Sequence, residues 1–161
     1  MYTVHIDFNK RLAKMQEAVK RNDLDVLIGS RLKTITHACG AFCPWRSAVI
    51  IPASGEIWLV TPSMDAKRLQ QEGWLKNVEG YGRLTLGETI IHRLKAMKLE
   101  GGRIGYETGS SAYLPEGYLS QGEYQELLAG LPQAKFVNTP QIIDDLAMVK
   151  EEAEVRLMRQ A

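Results

Sequence analysis

Amphipathic helical patterns alternate with short apolar runs along this chain, and this alternation constrains the fold more than any other feature. From Phe8 to Arg21, Leu12, Met15 and Val19 recur at spacings of three and four among polar residues, which predicts a helix with one apolar face. The run from 25 to 29 is short, apolar and closed by a glycine. Directly after a helix, such a run predicts a buried strand.

The rest of the chain repeats this alternation, with one interruption. The apolar runs 48–52 and 57–60 are separated by Ala53-Ser-Gly-Glu56, a turn of hairpin length, so we expect an antiparallel pair there. We predict further helices at 64–71, 86–97 and 124–128, and strands at 103–107 and 135–138. The pattern therefore predicts an α/β domain, in which helices flank a mixed sheet of parallel strands and one antiparallel hairpin.

The last 16 residues carry a continuous helical stripe. Its apolar positions are Leu146, Val149, Ala153, Leu157 and Ala161. No stop signal follows the stripe, so it predicts one helix that continues beyond the last residue. We therefore expect residues 1–145 to form the domain, and residues 146–161 to form a linker helix that opens a second domain.

Composition narrows the classes of function. Hydrophobic residues make up 45% and charged residues 24% of the 161, and the formal net charge is +1. These values are ordinary for a globular protein and carry no basic footprint for nucleic acid. No apolar run is long enough to span a membrane, and the first 11 residues are too polar for a secretory signal. We expect a cytoplasmic protein that binds neither nucleic acid nor membrane.

Three local features suggest chemistry, each with a simpler interpretation. His37, Cys39 and Cys43 lie close together, as in a thiol enzyme, but two thiols without further ligands also fit free cysteines in a reducing compartment. The segment 107–116 contains two carboxylates and no histidine, which favours a solvated loop. Glycines at 101–105 precede a strand, which favours a turn over a phosphate site.

The order of elements and several short signatures resemble the N-terminal domain of the creatinase/prolidase family, the Xaa-Pro peptidases and their relatives. Two positions depart from the family pattern: Ala147 stands where an Arg is usual, and His37 where an aromatic residue is usual. The matching segments are 11–15, 25–28, 36–40, 48–60, 104–107 and the set Lys150, Glu154, Val155 and Ala161.

This resemblance implies a ribonuclease H-like α/β domain that precedes a "pita-bread" catalytic domain. In the family, two Asp, one His and two Glu of that second domain hold a metal pair, here Mn²⁺, Zn²⁺ or Co²⁺, which activates water. The sequence supplies no such set, so we expect no cofactor in this part and no catalysis by it alone. The implied role is to shape specificity and assemble a homodimer, next to its own catalytic domain, for an Xaa-Pro dipeptidase or aminopeptidase acting on peptides.

The segment Phe42-Cys-Pro-Trp45-Arg46 is the strongest candidate for substrate contact. In relatives this region reaches over the active site of the other subunit, and an Arg of creatinase-like members contacts the substrate carboxylate. The resemblance implies that Arg46 binds a carboxylate and that Trp45 forms an apolar wall. The alternative is that Trp45 packs in the core and Arg46 is a solvated charge. His37 is a third candidate, with packing or capping as its alternative.

Three other functions stay open on the sequence alone. Some relatives keep this architecture as a protein-interaction module without metal chemistry. A creatinase-like parent would hydrolyse a small amidine instead of a peptide. A thiol enzyme built on Cys39 or Cys43 with His37 would be active in these 161 residues by themselves.

Overall fold

A computed structural model of the protein describes residues 5–109 and 117–160. The described residues form one mixed sheet flanked by helices, in the order α1 (Phe8–Arg21), β1 (Val26–Gly29), α2 (Leu32–Cys39), β2 (Ala48–Pro52), β3 (Trp58–Pro62), α3 (Ser63–Glu72), β4 (Val78–Tyr81), α4 (Leu86–Ala96), β5 (Arg103–Tyr106), α5 (Gln121–Gly130), β6 (Lys135–Asn138), α6 (Gln141–Met148) and α7 (Glu152–Gln160).

The six strands are ordered β4-β3-β2-β1-β5-β6 across the sheet. Strand β2 is antiparallel to both of its neighbours, whereas the β3–β4, β1–β5 and β5–β6 pairs are parallel. In the register, Val26 lies opposite Pro52 on one side and Ile104 on the other. The predicted mixed sheet with one hairpin is confirmed.

Helices cover both faces of the sheet, and this explains why the central strands are apolar without alternation. Successive residues of β1 point to opposite faces. Leu27 packs into a core with α1, α2, α3 and α6, whereas Val26 and Ile28 pack into a second core with α4 and α5. Both sides of β1 and β2 are therefore buried, and the domain has three layers.

Local capping explains where several helices begin. Asp7 accepts a hydrogen bond from the backbone N–H of Lys10, at 3.0 Å, as expected for the first helix. Ser120 and Glu123 form a capping box that starts α5 earlier than the predicted residue 124.

Three elements differ from the sequence predictions. Helix α2 and strand β4 were not predicted. The single helix expected from residue 146 onward is wrong, because α6 ends at Met148 and Val149 has an extended backbone. Helix α7 then starts separately, and the Glu154 carboxylate accepts a hydrogen bond from the backbone N–H of Glu151, at 2.9 Å. The new cap explains why the apolar periodicity does not continue as one helix.

None of the helices in the described ranges combines the length and apolar character needed to cross a membrane.

Candidate functional site

The loop between α2 and β2, residues 41–47, lies at the edge of the sheet where the parallel strands β1 and β3 end. Gly40 begins it with a φ of +71°, a backbone conformation that glycine adopts without strain. Phe42 is 62% and Trp45 is 56% exposed. Trp45 therefore does not pack in the core, and the loop presents two aromatic rings to solvent.

Arg46 is tied to the protein by four hydrogen bonds. Its Nε and Nη2 donate to the two carboxylate oxygens of Glu123, at 2.8 and 2.6 Å. Its Nη1 donates to the carbonyl of Gly117 at 2.6 Å, and Nη2 also donates to that of Tyr118 at 3.1 Å. Although burial raises the pKa of Glu123, the hydrogen bonds from Arg46 lower it below its ordinary value. Arg46 is thus not a simple solvated charge.

Two further hydrogen bonds hold the end of the loop on the sheet. The Tyr81 hydroxyl donates to the carbonyl of Arg46 at 2.8 Å, and the Ser47 hydroxyl donates to the side-chain hydroxyl of Thr61 at 2.9 Å. Burial raises the pKa of Tyr81, which therefore keeps its proton for this bond at neutral pH. The side chains of the loop consequently project from an anchored backbone.

A groove of about 290 Å³ runs beside this loop. Ser30, Leu32 and Ile35 form one side, and Gly117 lies next to the Arg46 side chain. The other side consists of loop residues 42–47. The groove combines an exposed indole, an apolar floor and a guanidinium, a mixture that suits a ligand with both apolar and anionic parts.

His37 is not part of this groove. It lies on α2 and lines a small separate cavity with Arg11, Leu146, Val149 and Glu154. Burial lowers its pKa, and the nearby charge of Arg11 lowers it further. The structure therefore brings Trp45 and Arg46 together, but it places His37 on the side of α2 that faces the last two helices.

A buried ion pair lies beneath the same edge of the sheet, and the sequence analysis missed it. Glu107 is fully buried, so the solvated loop predicted for 107–116 is wrong at this residue. Its carboxylate accepts hydrogen bonds from the N–H groups of Ser30 and Arg31 at the start of α2, at 2.9 and 3.0 Å. It also accepts from Arg31 Nε at 3.0 Å and the Thr34 hydroxyl at 2.6 Å. The other carboxylate in that segment, Glu116, lies outside the described residues.

Arg31 extends this pair to α6. Its Nη1 and Nη2 donate to the carboxylate of Asp144 at 3.1 and 2.7 Å. Although burial opposes it, hydrogen bonding to Asp144 and the charge of Glu107 raise the pKa of Arg31. Burial likewise opposes the lowered pKa of Asp144, which the hydrogen bonds from Arg31 cause. Arg31 and Glu107 thus join β1, α2, β5 and α6. The carboxylate oxygens of Glu107 and Asp144 all accept hydrogen bonds in this cluster. The sequence signal that could have identified Glu107 was its position directly after the buried strand β5. An acid at such a position lies at the edge of the sheet where parallel strands end.

The cysteines do not pair with His37. Cys39 and Cys43 are free and buried. The Cys39 sulfur exchanges hydrogen bonds with the backbone of Ala41. His37 is not among these partners, so the described geometry gives no support to a Cys–His nucleophile.

The metal pair that the resemblance implies does not fit the described residues. No three His, Cys, Asp or Glu side chains within 5–109 and 117–160 come together as they would around a metal ion. Glu107 and Asp144 are already bonded to Arg31, and Glu123 is bonded to Arg46. We therefore assign no metal-dependent step to these residues.

Comparison with known proteins adds a family and a set of related folds. The Creatinase/Prolidase N-terminal domain family matches residues 11–149. A search of curated protein sequences returns no match. Among solved structures, the chain is similar to aminopeptidase P, an Xaa-Pro aminopeptidase from Streptococcus thermophilus. The TM-score is 0.72 at 17% identity, over 89% of this chain and 100% of that chain.

Two other solved structures give the same picture. An Xaa-Pro dipeptidase from Bacillus anthracis matches with a TM-score of 0.78 at 12% identity, over 96% of this chain and 40% of that one. The N-terminal domain of the cytoplasmic peptidase PepQ from Mycobacterium tuberculosis H37Rv matches with a TM-score of 0.68 at 15% identity, over 85% and 98%. At these identities the likeness concerns the fold, and the chain spans two fifths of the B. anthracis dipeptidase.

Proposed function

The chain belongs to the Creatinase/Prolidase N-terminal domain family, and on that premise we propose that it is the non-catalytic domain of a metal-dependent Xaa-Pro dipeptidase or aminopeptidase. In this proposal a separate catalytic domain holds a pair of Mn²⁺, Zn²⁺ or Co²⁺ ions. This domain contributes to substrate specificity and to a homodimer. The parent acts on peptides in the cytoplasm.

The observation that carries the proposal is the pair of exposed aromatic rings beside Arg46. Large apolar side chains of this exposure usually mark a contact with another molecule when they cluster beside a groove. Phe42 and Trp45 are exposed on a loop whose backbone is bonded by Tyr81 and whose Ser47 side chain is bonded to Thr61. A rigid loop can position these rings over a second subunit's substrate with little loss of conformational entropy on binding.

Arg46 has two ways to bind a substrate carboxylate. A guanidinium has five N–H groups, and the described residues accept four hydrogen bonds from it. A carboxylate would bind through the remaining N–H of Nη1, or it would displace Glu123. Trp45 would supply the apolar wall in either case. For His37 the separate cavity gives no support to substrate contact, which stays a prediction.

The test is steady-state kinetics of the two-domain enzyme with Arg46→Ala. A hydrogen bond to a charged group is worth about 1.5–3 kcal/mol. We therefore expect KM for an Xaa-Pro dipeptide to rise by about tenfold or more, and KM for the same peptide with an amidated C-terminus to change little. Arg83→Ala, at an exposed arginine, is the matched control. Equal KM values for the variant and the unchanged enzyme would remove Arg46 from substrate binding.

The reading frame after the codon for Ala161 tests the wider proposal. Two Asp, one His and two Glu in family order would support a dinuclear hydrolase, and activity on a small amidine would then favour a creatinase-like parent. A continuing frame without these residues would favour a protein-interaction module, for which the exposed Phe42 and Trp45 would be the contact surface. An immediate stop would exclude a two-domain parent.

A further inference from the structure

A larger groove lies against helix α1, and the proposed function does not use it. Its volume is about 720 Å³, and its walls come from α1, from residues 55–57 and from residues 73–77. It shares no lining residue with the groove beside Trp45. A volume of this size is in the range of small-molecule sites. We call it the α1 groove.

The floor of the α1 groove is apolar and includes an aromatic ring. Leu12, Ile57 and Leu75 line the groove and are buried. Trp74 lines it next to Leu75 and is 37% exposed. The indole stacks on the ring of Phe8, with 6.1 Å between the two centroids. An apolar side chain of a ligand would therefore be removed from water against aliphatic and aromatic surface.

Hydrogen bonds hold the walls of this groove in place. The side-chain amide of Gln16 donates to the carbonyls of Pro52 and Gly55, both at 3.0 Å, and so ties α1 to the hairpin turn. On the other side, the backbone N–H of Trp74 donates to the carbonyl of Cys39 at 2.7 Å, which fixes this wall against the end of α2. The groove is therefore preformed, and a preformed site loses less entropy on binding.

One end of the α1 groove carries an acid and a base. Glu56 and Lys76 both line it and are both exposed. The Asn77 side-chain amide donates to the carbonyl of Ile57 at 3.4 Å, so Glu56 and Lys76, one position earlier in each segment, lie at the same end.

Both charges can still bind a ligand. The Lys76 ammonium donates to two backbone carbonyls, each at 3.0 Å. An ammonium has three N–H groups, so one is left for an anion. Within residues 5–109 and 117–160 the Glu56 carboxylate forms no ion pair. This end of the groove thus offers one acceptor for a cation and one donor for an anion.

We propose that the α1 groove binds a free α-amino acid with a large apolar side chain. The ammonium and the carboxylate of such a ligand share one carbon atom, so they suit an acid and a base that lie at the same end of a groove. The ammonium pairs with Glu56, the carboxylate accepts from Lys76, and the side chain packs on Trp74. A neutral apolar ligand would use neither charge, and a peptide carries its two charges on different residues.

This site is independent of the proposed function. It uses neither Trp45 nor Arg46, so either proposal can fail while the other holds.

The test is isothermal titration calorimetry of the chain with L-phenylalanine. N-acetyl-L-phenylalanine lacks the ammonium, L-phenylalaninamide lacks the carboxylate, and L-alanine lacks the large side chain. We expect saturable binding of L-phenylalanine, with a dissociation constant at least about threefold higher for each of the other three, because an exposed ion pair is a weak contact. The dipeptide phenylalanyl-alanine should also bind more weakly than L-phenylalanine.

Two variants locate the binding. Ala13 is exposed on α1 and lines the groove, so Ala13→Phe should fill the groove and abolish binding while circular dichroism shows an intact fold. Glu56→Gln should raise the dissociation constant of L-phenylalanine about threefold but leave that of N-acetyl-L-phenylalanine unchanged. Glu17→Gln, at an exposed carboxylate of α1 outside the groove, is the matched control.

Nuclear magnetic resonance distinguishes this groove from the one beside Trp45. The chain has three tryptophans, and Trp74→Phe assigns the indole N–H signal that we expect L-phenylalanine to shift. Absence of binding, binding that survives in Ala13→Phe, or a shift of Trp45 in place of Trp74 would each overturn the proposal. Tighter binding of the dipeptide would assign the groove to peptides, and self-association that Ala13→Phe abolishes would assign it to a second copy. Either result would also contradict the amino acid site.

Discussion

Arg31 and Glu107 illustrate how two residues can organise a whole edge of the sheet. A buried carboxylate carries a large desolvation penalty unless its oxygens are bonded. Glu107 accepts bonds from the start of α2 and from the Arg31 guanidinium, so both of its oxygens are used. The pair therefore fixes where α2 begins relative to the end of β5, beneath the groove.

Glu107→Gln tests this role. The substitution keeps the side-chain shape but leaves the buried Arg31 with Asp144 as its remaining carboxylate partner, so we expect the free energy of unfolding to fall by about 3 kcal/mol. Thr34→Val removes a single hydrogen bond to the same carboxylate and should cost about 1 kcal/mol. Urea denaturation followed by circular dichroism measures both. The control is Glu56→Gln, at an exposed carboxylate. A Glu107→Gln domain as stable as this control would contradict the role.

Charge, more than apolar burial, attaches the last helix to the domain. Helix α7 has no buried residue. Arg11 of α1 is buried and donates to Glu151 at 3.3 Å and to Glu154 at 2.8 Å. The ammonium of Lys14 lies 3.2 Å from Glu151. Although burial opposes it, the hydrogen bond from Lys14 and the charge of Arg11 lower the pKa of Glu151.

We expect Glu154→Gln to loosen α7 without unfolding the domain. A partly exposed ion pair contributes up to about 1 kcal/mol, so amide hydrogen exchange in 152–160 should be about fivefold faster. High salt should speed exchange in the unchanged protein in the same way. Hydrogen exchange mass spectrometry measures both effects. Glu152→Gln is the matched control, because the ion pair that Glu152 makes among the described residues is with Arg156 of the same exposed helix. Equal exchange in the two variants would mean that other contacts hold α7.

At the scale of the whole molecule, exposed aromatic side chains on the 41–47 loop contrast with the buried side chains of the two cores. Trp45 is 56% exposed, so more than half of this residue faces solvent. Trp58 is half-buried, and the Arg93 guanidinium lies over its ring at 3.6 Å from the centroid. Two tryptophans of one chain thus occupy opposite roles, although both stand in apolar surroundings in the sequence.

Trp45→Ser should therefore leave stability unchanged while it weakens assembly. We expect the free energy of unfolding of the domain to change by no more than about 0.5 kcal/mol, whereas Trp58→Ser, the control, should lower it clearly. If the proposed two-domain homodimer forms through this loop, loss of an exposed aromatic anchor should raise its dissociation constant about tenfold or more. Chemical denaturation and analytical ultracentrifugation measure the two effects. A large loss of stability with unchanged assembly would assign Trp45 to the fold.

Local pattern was sufficient for the elements that carry strong periodicity. The helices predicted at 8–21, 64–71 and 86–97 and the strands β1, β2, β3 and β5 carry apolar stripes or runs that are buried in the core. Strand β6 was also predicted, although it is only partly buried. Strand β4 was missed because Val78, Glu79 and Tyr81 are only partly buried at the sheet edge, Gly80 is exposed, and the segment shows no clear alternation. The single helix predicted from residue 146 onward was wrong because the chain is extended at Val149. Helix α7 then starts at a new cap, in which Glu154 bonds the backbone of Glu151 and also Arg11 of α1.

The sequence by itself determined the α/β class, the hairpin and the loop that carries Trp45 and Arg46, since these follow from the spacing of apolar residues and from short signatures. Tertiary structure decided what the loop contacts. Arg31 and Glu107 are 76 positions apart, and only the parallel pairing of β1 with β5 brings them together. Contacts between distant segments also join Arg46 to Glu123, and they place His37 in a cavity separate from the groove beside Trp45. Contacts between distant positions depend on strand order, which the periodicity of a single segment does not encode.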